Sequence, residues 1–129
     1  MSSVDVSSQG RPGVSRPDYP GVIQRYIDLW NLPDDQRAEA IDQLCVADVR
    51  YVDPTISTAG RAELCRYIGL TRAHFGGSPF RLVPPVDGHH EQVRFGWECG
   101  PSGAVPLASG FDVALLRNGR LAAVHGFFD

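Results

Sequence analysis

Two carboxyl groups stand in apolar company along this chain. Asp53 closes the run Tyr51-Val52-Asp53-Pro54, and Asp112 interrupts Gly110-Phe111-Asp112-Val113-Ala114-Leu115-Leu116. Burying a carboxyl group without a partner costs several kcal/mol, so a chain that keeps two of them on core-directed segments is expected to use them. The chemistry that suits such groups is proton transfer. Tyr26 adds a hydroxyl from the apolar stripe of Arg25-Tyr26-Ile27-Asp28-Leu29-Trp30. Each has a blander alternative. Asp53 can be a strand-end aspartate bonded to the turn that follows, Asp112 a buried acid paired with an arginine or histidine, and Tyr26 a core aromatic.

Other chemistry-bearing residues carry less. His89-His90-Glu91 offers metal-ligand types, but adjacent strand histidines point to opposite faces and do not converge, so no metal site is expected. Cys45 and Cys65 read as small core residues without a paired base. Gly76-Gly77-Ser78 lacks the strand, lysine and helix context of a phosphate loop.

The 129 residues, 43% hydrophobic and 21% charged, suffice for one core. A net charge of −3 with no cluster of basic residues argues against a nucleic-acid surface. No segment has the length of a membrane span, and Met1 to Pro17 lacks the charged-then-apolar order of a signal peptide. Three cysteines without C-x-x-C spacing suit reduced thiols and a cytoplasmic location.

The elements that would position the acids follow from pattern. Residues 1–17, rich in Ser, Gly and Pro, read as a flexible arm, and 18–129 as one domain. A helix begins at Asp18-Tyr19-Pro20 with Asp18 as its cap and Ile23, Tyr26, Ile27 and Trp30 on its buried stripe. A second helix from about Asp34 to Cys45 is expected to bury Ala38, Ile41, Leu44 and Cys45. A short strand, Val49 to Asp53, ends at Pro54. A third helix follows Gly60, with Leu64, Tyr67, Ile68 and Thr71 inward. Four strands follow, over Phe80–Val83, about Glu91–Cys99, Leu107–Leu116 and Leu121–Phe128. Pro84-Pro85, Gly100-Pro101-Ser102-Gly103 and the hairpin dipeptide Asn118-Gly119 separate them. Three helices before an antiparallel meander give an α+β class. Strand parity sends Val93, Phe95 and Trp97 toward the helices, and Arg94 away. It places Asp112 with Ala114 and Leu116, opposite Phe111, Val113 and Leu115, and His125 outward with Phe127. Both faces of that strand are apolar, so a second subunit is expected over the outer one.

Arg25-Tyr26-Ile27-Asp28-Leu29, Tyr51-Val52-Asp53-Pro54, Gly60-Arg61, Phe111-Asp112-Val113 and Asn118-Gly119-Arg120-Leu121 together resemble the nuclear transport factor 2-like superfamily. The likeness is to its SnoaL-like polyketide cyclase and ketosteroid isomerase branches, over about residues 19–129. The resemblance implies a cone-shaped roll, with three N-terminal helices packed on a strongly curved antiparallel sheet around an apolar pocket. It also implies homodimers through the outer sheet face and cofactor-free acid–base catalysis. In the isomerase branch, the position of Asp53 is the general base, and those of Tyr26 and Asp112 donate hydrogen bonds to the enolate oxygen; that enzyme is a standard example of a carboxylic acid kept neutral for this purpose. Two further tyrosines of that branch fall at Cys45 and Ile68 here. Trp30, Tyr51, Ile68, Phe95 and Trp97 are expected in the pocket wall. The arginine-centred chemistry of the epoxide hydrolase branch is disfavoured, because Arg94-Phe95-Gly96 has glycine where an acid is needed. The expected substrate is a small apolar, polyketide-like carbonyl compound, isomerised or cyclised. The rival reading is a non-catalytic ligand-binding or dimerisation module whose cavity is plugged by Trp30, Tyr51 or Trp97.

Overall fold

The computed structural model describes residues 17–129; the expected arm, save Pro17, lies outside them. Helix α1 spans Tyr19–Leu29. Its start is set by Asp18, whose Oδ1 accepts from Gly21 N at 3.1 Å, and by Pro20 in the first turn. Ile23, Tyr26, Ile27 and the capping Trp30 are buried, as their spacing predicts. Helix α2, Asp34–Leu44, opens on Asp34 and Asp35, which suit the positive end of the helix dipole. Its buried face is Arg37, Ile41 and Leu44; Ala38, expected inside, is exposed. Arg37 takes the inward place because its guanidinium reaches Asp34 Oδ1 at 2.6 Å while its stem packs against the core.

Cys45 belongs not to α2 but to strand β1, Cys45–Asp53, which is longer than its apolar run. It turns back at Pro54-Thr55 into β2, Ile56–Ala59, a four-residue strand too short and polar to announce itself. Helix α3, Arg61–His74, buries Leu64 and Ile68. Then come β3, Phe80–His89, β4, Gln92–Cys99, β5, Ala108–Arg117, and β6, Arg120–Phe128. Pro84-Pro85 does not end β3. The ladder to β4 shifts register between Val83 and Asp87 and resumes, which a strand at the sheet edge tolerates because its outward N–H groups need no partner.

The sheet order is β2-β1-β6-β5-β4-β3. The last four strands form the expected antiparallel meander. β1 lies parallel to β6, with Tyr51 beside Val124, so the whole is a mixed, curved, open sheet. Its inner face and the three helices enclose the core, with Tyr26, Phe95, Ile23 and Ile41 among its most deeply buried side chains. Parity holds in β4 and β5: Val93, Phe95, Asp112, Ala114 and Leu116 are buried, and Arg94, Phe111 and Leu115 are exposed. On the outer face the rings of Phe111 and Phe127 stack at 4.9 Å, with His125 exposed on the same side.

Candidate active site

The end of β1 builds one half of the site. Residues two apart on a strand share a face, so Tyr51 and Asp53 point together, and Tyr51 Oη donates to Asp53 Oδ2 at 2.7 Å. The turn beyond Pro54 folds Thr55 back. Its N–H and hydroxyl each donate to Asp53 Oδ1 at 2.7 Å, and Ile56 N adds a third donor at 3.2 Å. Helix α3 delivers Tyr67, whose Oη reaches Oδ2 at 2.6 Å. A carboxylate offers roughly four lone-pair sites, so five donors occupy it fully. Burial pushes the Asp53 carboxyl up, but the hydrogen bonds from Tyr67, Thr55 and Tyr51 outweigh it and hold the group below its ordinary range. The turn-bonded alternative read from the sequence describes its Oδ1.

The centre of β5 builds the other half. Asp112 lies between Phe95 on β4 and Gly126 on β6. Among the described residues its one hydrogen bond is from Trp97 Nε1 to Oδ1, at 3.1 Å. No arginine or histidine pairs with it there. Burial raises its carboxyl strongly, the Trp97 bond lowers it less, and the nearby Asp53 charge raises it again, to about 7. Gly126 is what lets the two acids share this space. A Cβ there would sit 2.9 Å from Asp112 Oδ1 and 3.4 Å from Asp53 Cβ.

Tyr26 comes from α1, held edge-on by Trp30 and Phe95 at 6.2 and 5.9 Å. Its hydroxyl is buried with no hydrogen-bond partner among the described residues, which costs about 1–3 kcal/mol. Burial and the Asp112 charge hold its proton on, against a smaller opposing effect of the nearby Trp30 indole, which does not reach hydrogen-bond geometry. Cys45 and Ile68, where the resemblance to the isomerase branch implies tyrosines, are core residues and supply no partner. The tyrosines this chain does have, Tyr51 and Tyr67, serve Asp53 instead.

Tyr26, Asp53 and Asp112 line one cavity of about 660 Å³. Trp30, Tyr51 and Trp97 form part of its wall and leave it open. Phe95 and Ile68 do not line it: both are buried in the core, Phe95 behind Tyr26. The exposed Leu70, Leu107 and Phe128 place its mouth at solvent. The sequence reading missed Tyr67, Thr55, Ser109 and Asp129 as site residues. Tyr67 was legible on the inward stripe of α3, and Thr55 in the turn after Asp-Pro. Ser109 and Asp129, joined at 2.9 Å near the mouth, gave no signal. Arg94 points away and pairs with Asp87, so no arginine serves this cavity from β4. The Cys45 thiol is pushed up to about 12, chiefly by burial, and is no nucleophile. Among the described residues no three His, Cys, Asp or Glu side chains are grouped to hold a metal ion. No helix there is long and apolar enough to cross a membrane.

Residues 23–124 match the family model of the SnoaL-like domain. The chain belongs to the SnoaL-like family. A solved structure from Agrobacterium tumefaciens str. C58, provisionally assigned as an isomerase of that family, is 31% identical. The match covers 86% of this chain and 97% of the other, with a TM-score of 0.80. A provisionally assigned SnoaL-like polyketide cyclase from Jannaschia sp. CCS1 is 14% identical over 91% and 92%, with a TM-score of 0.71. A protein of ketosteroid isomerase-like fold from Catenulispora acidiphila, in complex with trimethylamine, is 16% identical over 85% and 86%, with a TM-score of 0.70. The last two likenesses show the shared nuclear transport factor 2-like fold. A search of curated proteins finds no match to this SnoaL-like chain.

Proposed function

We propose that this SnoaL-like protein is a cofactor-independent acid–base enzyme that moves a proton beside the carbonyl of a small, largely apolar, polyketide-like compound, isomerising or cyclising it. The observation that carries this reading is the cavity itself. It brings together two carboxyl groups of opposite character and an unpartnered tyrosine hydroxyl within an aromatic wall. The isomerase and polyketide cyclase assignments of its structural neighbours support the same class.

The hydrogen bonding favours a division of labour different from the one the isomerase branch implies. Asp53 has no unoccupied lone pair, and protonating it would break bonds to Tyr51 or Tyr67. Asp112 has one oxygen without a partner among the described residues and titrates near neutrality, where a group can both take and return a proton. In this reading ionised Asp112 removes the α-proton. Tyr26 donates to the oxygen on which negative charge develops, and Asp112 returns the proton at the new position. Asp53 stays a fixed anion that orients two tyrosines and helps to hold the proton on Asp112. The wall binds the substrate by burial of its apolar surface.

Hydrogen–deuterium exchange tests this without knowledge of the natural substrate. The protein is expected to accelerate α-deuteration of small apolar ketones such as 2-tetralone in deuterated buffer, and Asp112→Asn to return the rate to that of buffer. Equal rates for the two proteins would reject the role of Asp112.

We also propose that a second copy covers the outer sheet face. Phe111 and Phe127, 46% and 49% exposed, and Leu115 form an apolar surface there. Sedimentation should give a dimer that Phe111→Lys dissociates; a monomeric parent protein excludes it.

A further inference from the structure

Among the described residues no arginine answers the cavity's negative charge. Three aspartates, at positions 53, 112 and 129, are among its lining residues, and no arginine of the described residues is. The chain contains no lysine, its twelve basic residues all being arginine. His74 is the one other titratable side chain at the wall besides the tyrosines. Elsewhere among the described residues, several acids pair with cations: Asp34 with Arg37, Asp48 with Arg117, Glu98 with Arg81, Asp87 with Arg94. Those acids are half-buried or exposed. The two acids that are buried, Asp53 and Asp112, have neutral donors only.

Around these two acids the wall is aromatic. Tyr51 lies 5.8 Å from Trp30 and 5.3 Å from Tyr67, and Trp30 lies 6.1 Å from Tyr67, so three rings bound one corner beside Asp53. The negative face of such rings attracts a cation, most strongly where water is excluded. An anionic ligand would meet like charge and no donor arginine. The buried Tyr26 hydroxyl, with no acceptor among the described residues, adds an independent sign that this hollow receives a ligand bearing an oxygen or other acceptor.

We propose that the compound bound here is a cation, an apolar body carrying a protonated amine or quaternary ammonium group seated between the Asp53–Asp112 pair and the aromatic corner of Trp30, Tyr51 and Tyr67. The inference rests on the cavity being the substrate site, as argued above, and not on turnover. Within that reading it narrows the substrate to an amino-carbonyl or related cationic compound.

Binding of phenyltrimethylammonium and of its uncharged isostere tert-butylbenzene to the full chain, followed by fluorescence of Trp30 and Trp97 and by calorimetry, separates the possibilities. The cation should bind about tenfold more tightly than the isostere. Asp112→Asn, a near-isosteric change that retains the acceptor for Trp97, should reduce that preference several-fold at pH 8 and leave tert-butylbenzene binding unchanged. Tighter or equal binding of tert-butylbenzene overturns the proposal. So does failure of both probes to bind, or a preference that Asp112→Asn leaves intact. Cation preference without ketone deuteration would sink the acid–base reading alone; deuteration without cation preference would sink this inference alone.

Discussion

At the β1 end of the cavity Asp53 accepts hydrogen bonds from Tyr51, Thr55, Ile56 and Tyr67; at the middle of β5 Asp112 accepts one, from Trp97. Both acids expose little surface, 7% and 5%, but Asp112 lies deeper among protein atoms than Asp53. Depth and donors together separate them. Five donors stabilise the charge on Asp53, whereas Asp112 has one donor and the Asp53 charge as a neighbour. The same functional group therefore becomes a fixed anion at one end and a proton carrier at the other. A turn and a helix converge on the first; the second sits mid-strand, where backbone groups are already spent on the ladder and have nothing to offer a side chain.

The largest expected effect comes from removing the carrier. Asp112→Asn should cut ketone deuteration by roughly 10²–10⁴-fold while the fold persists, the range general acid–base groups supply. The same variant has a stability signature. Because the folded carboxyl titrates at about 7, above its ordinary 3.8, the native state holds its proton more tightly than the unfolded chain. Stability contributed by neutral Asp112 is complete below the ordinary value and is lost as pH rises through about 7. Asp112→Asn should remove that loss, raising Tm more at pH 8 than at pH 5. A Tm difference independent of pH would break the contrast between the two acids.

Asp53→Asn should do the reverse. An amide at this position presents a donor to hydroxyls that already donate, leaving buried groups unsatisfied at a cost of about 2–4 kcal/mol in denaturant unfolding. The sign of its pH dependence is also opposite. A lowered folded pKa gives stability that is present above the ordinary value and lost as pH falls through the folded one, so the parent protein's extra stability should fade only in acid. Unchanged stability would mean that the five bonds matter little.

Gly126→Ala sharpens the comparison from between the acids. Its Cβ would crowd Asp112 Oδ1 at 2.9 Å, forcing the carboxyl off its Trp97 bond. Deuteration should fall about tenfold or more for a displacement of this kind, with a smaller change in Tm. Parental activity in this variant would show that the placement of Asp112 is not critical. Tyr67→Phe should be mildest, about 1 kcal/mol of stability, since Tyr67 is only half-buried and Asp53 keeps four other donors.

Much of the scaffold was legible because its signals are local. The α1 stripe, the Asn118-Gly119 hairpin and the parity of β4 and β5 each follow from spacing alone. Asp112 announced itself because nothing in Phe-Asp-Val-Ala-Leu-Leu explains a carboxyl. The parallel pairing of β1 with β6 was not legible, since it joins segments some seventy residues apart and leaves no periodic trace. Nor was the ring of donors around Asp53. Its members come from a strand, a turn and a helix, and their convergence depends on how α3 lies across β1. Phe95 and Ile68 were expected in the wall because their faces are right; depth, which parity does not encode, puts them behind it.

The central claim is the order in which the two carboxyls titrate, and carboxyl carbon chemical shifts in a protein carrying ¹³C-labelled aspartate read it directly, with Asp112→Asn and Asp53→Asn assigning the signals. The account predicts that Asp112 titrates at about 7 and Asp53 below the ordinary value of 3.8. An Asp53 that titrates above Asp112 would contradict it.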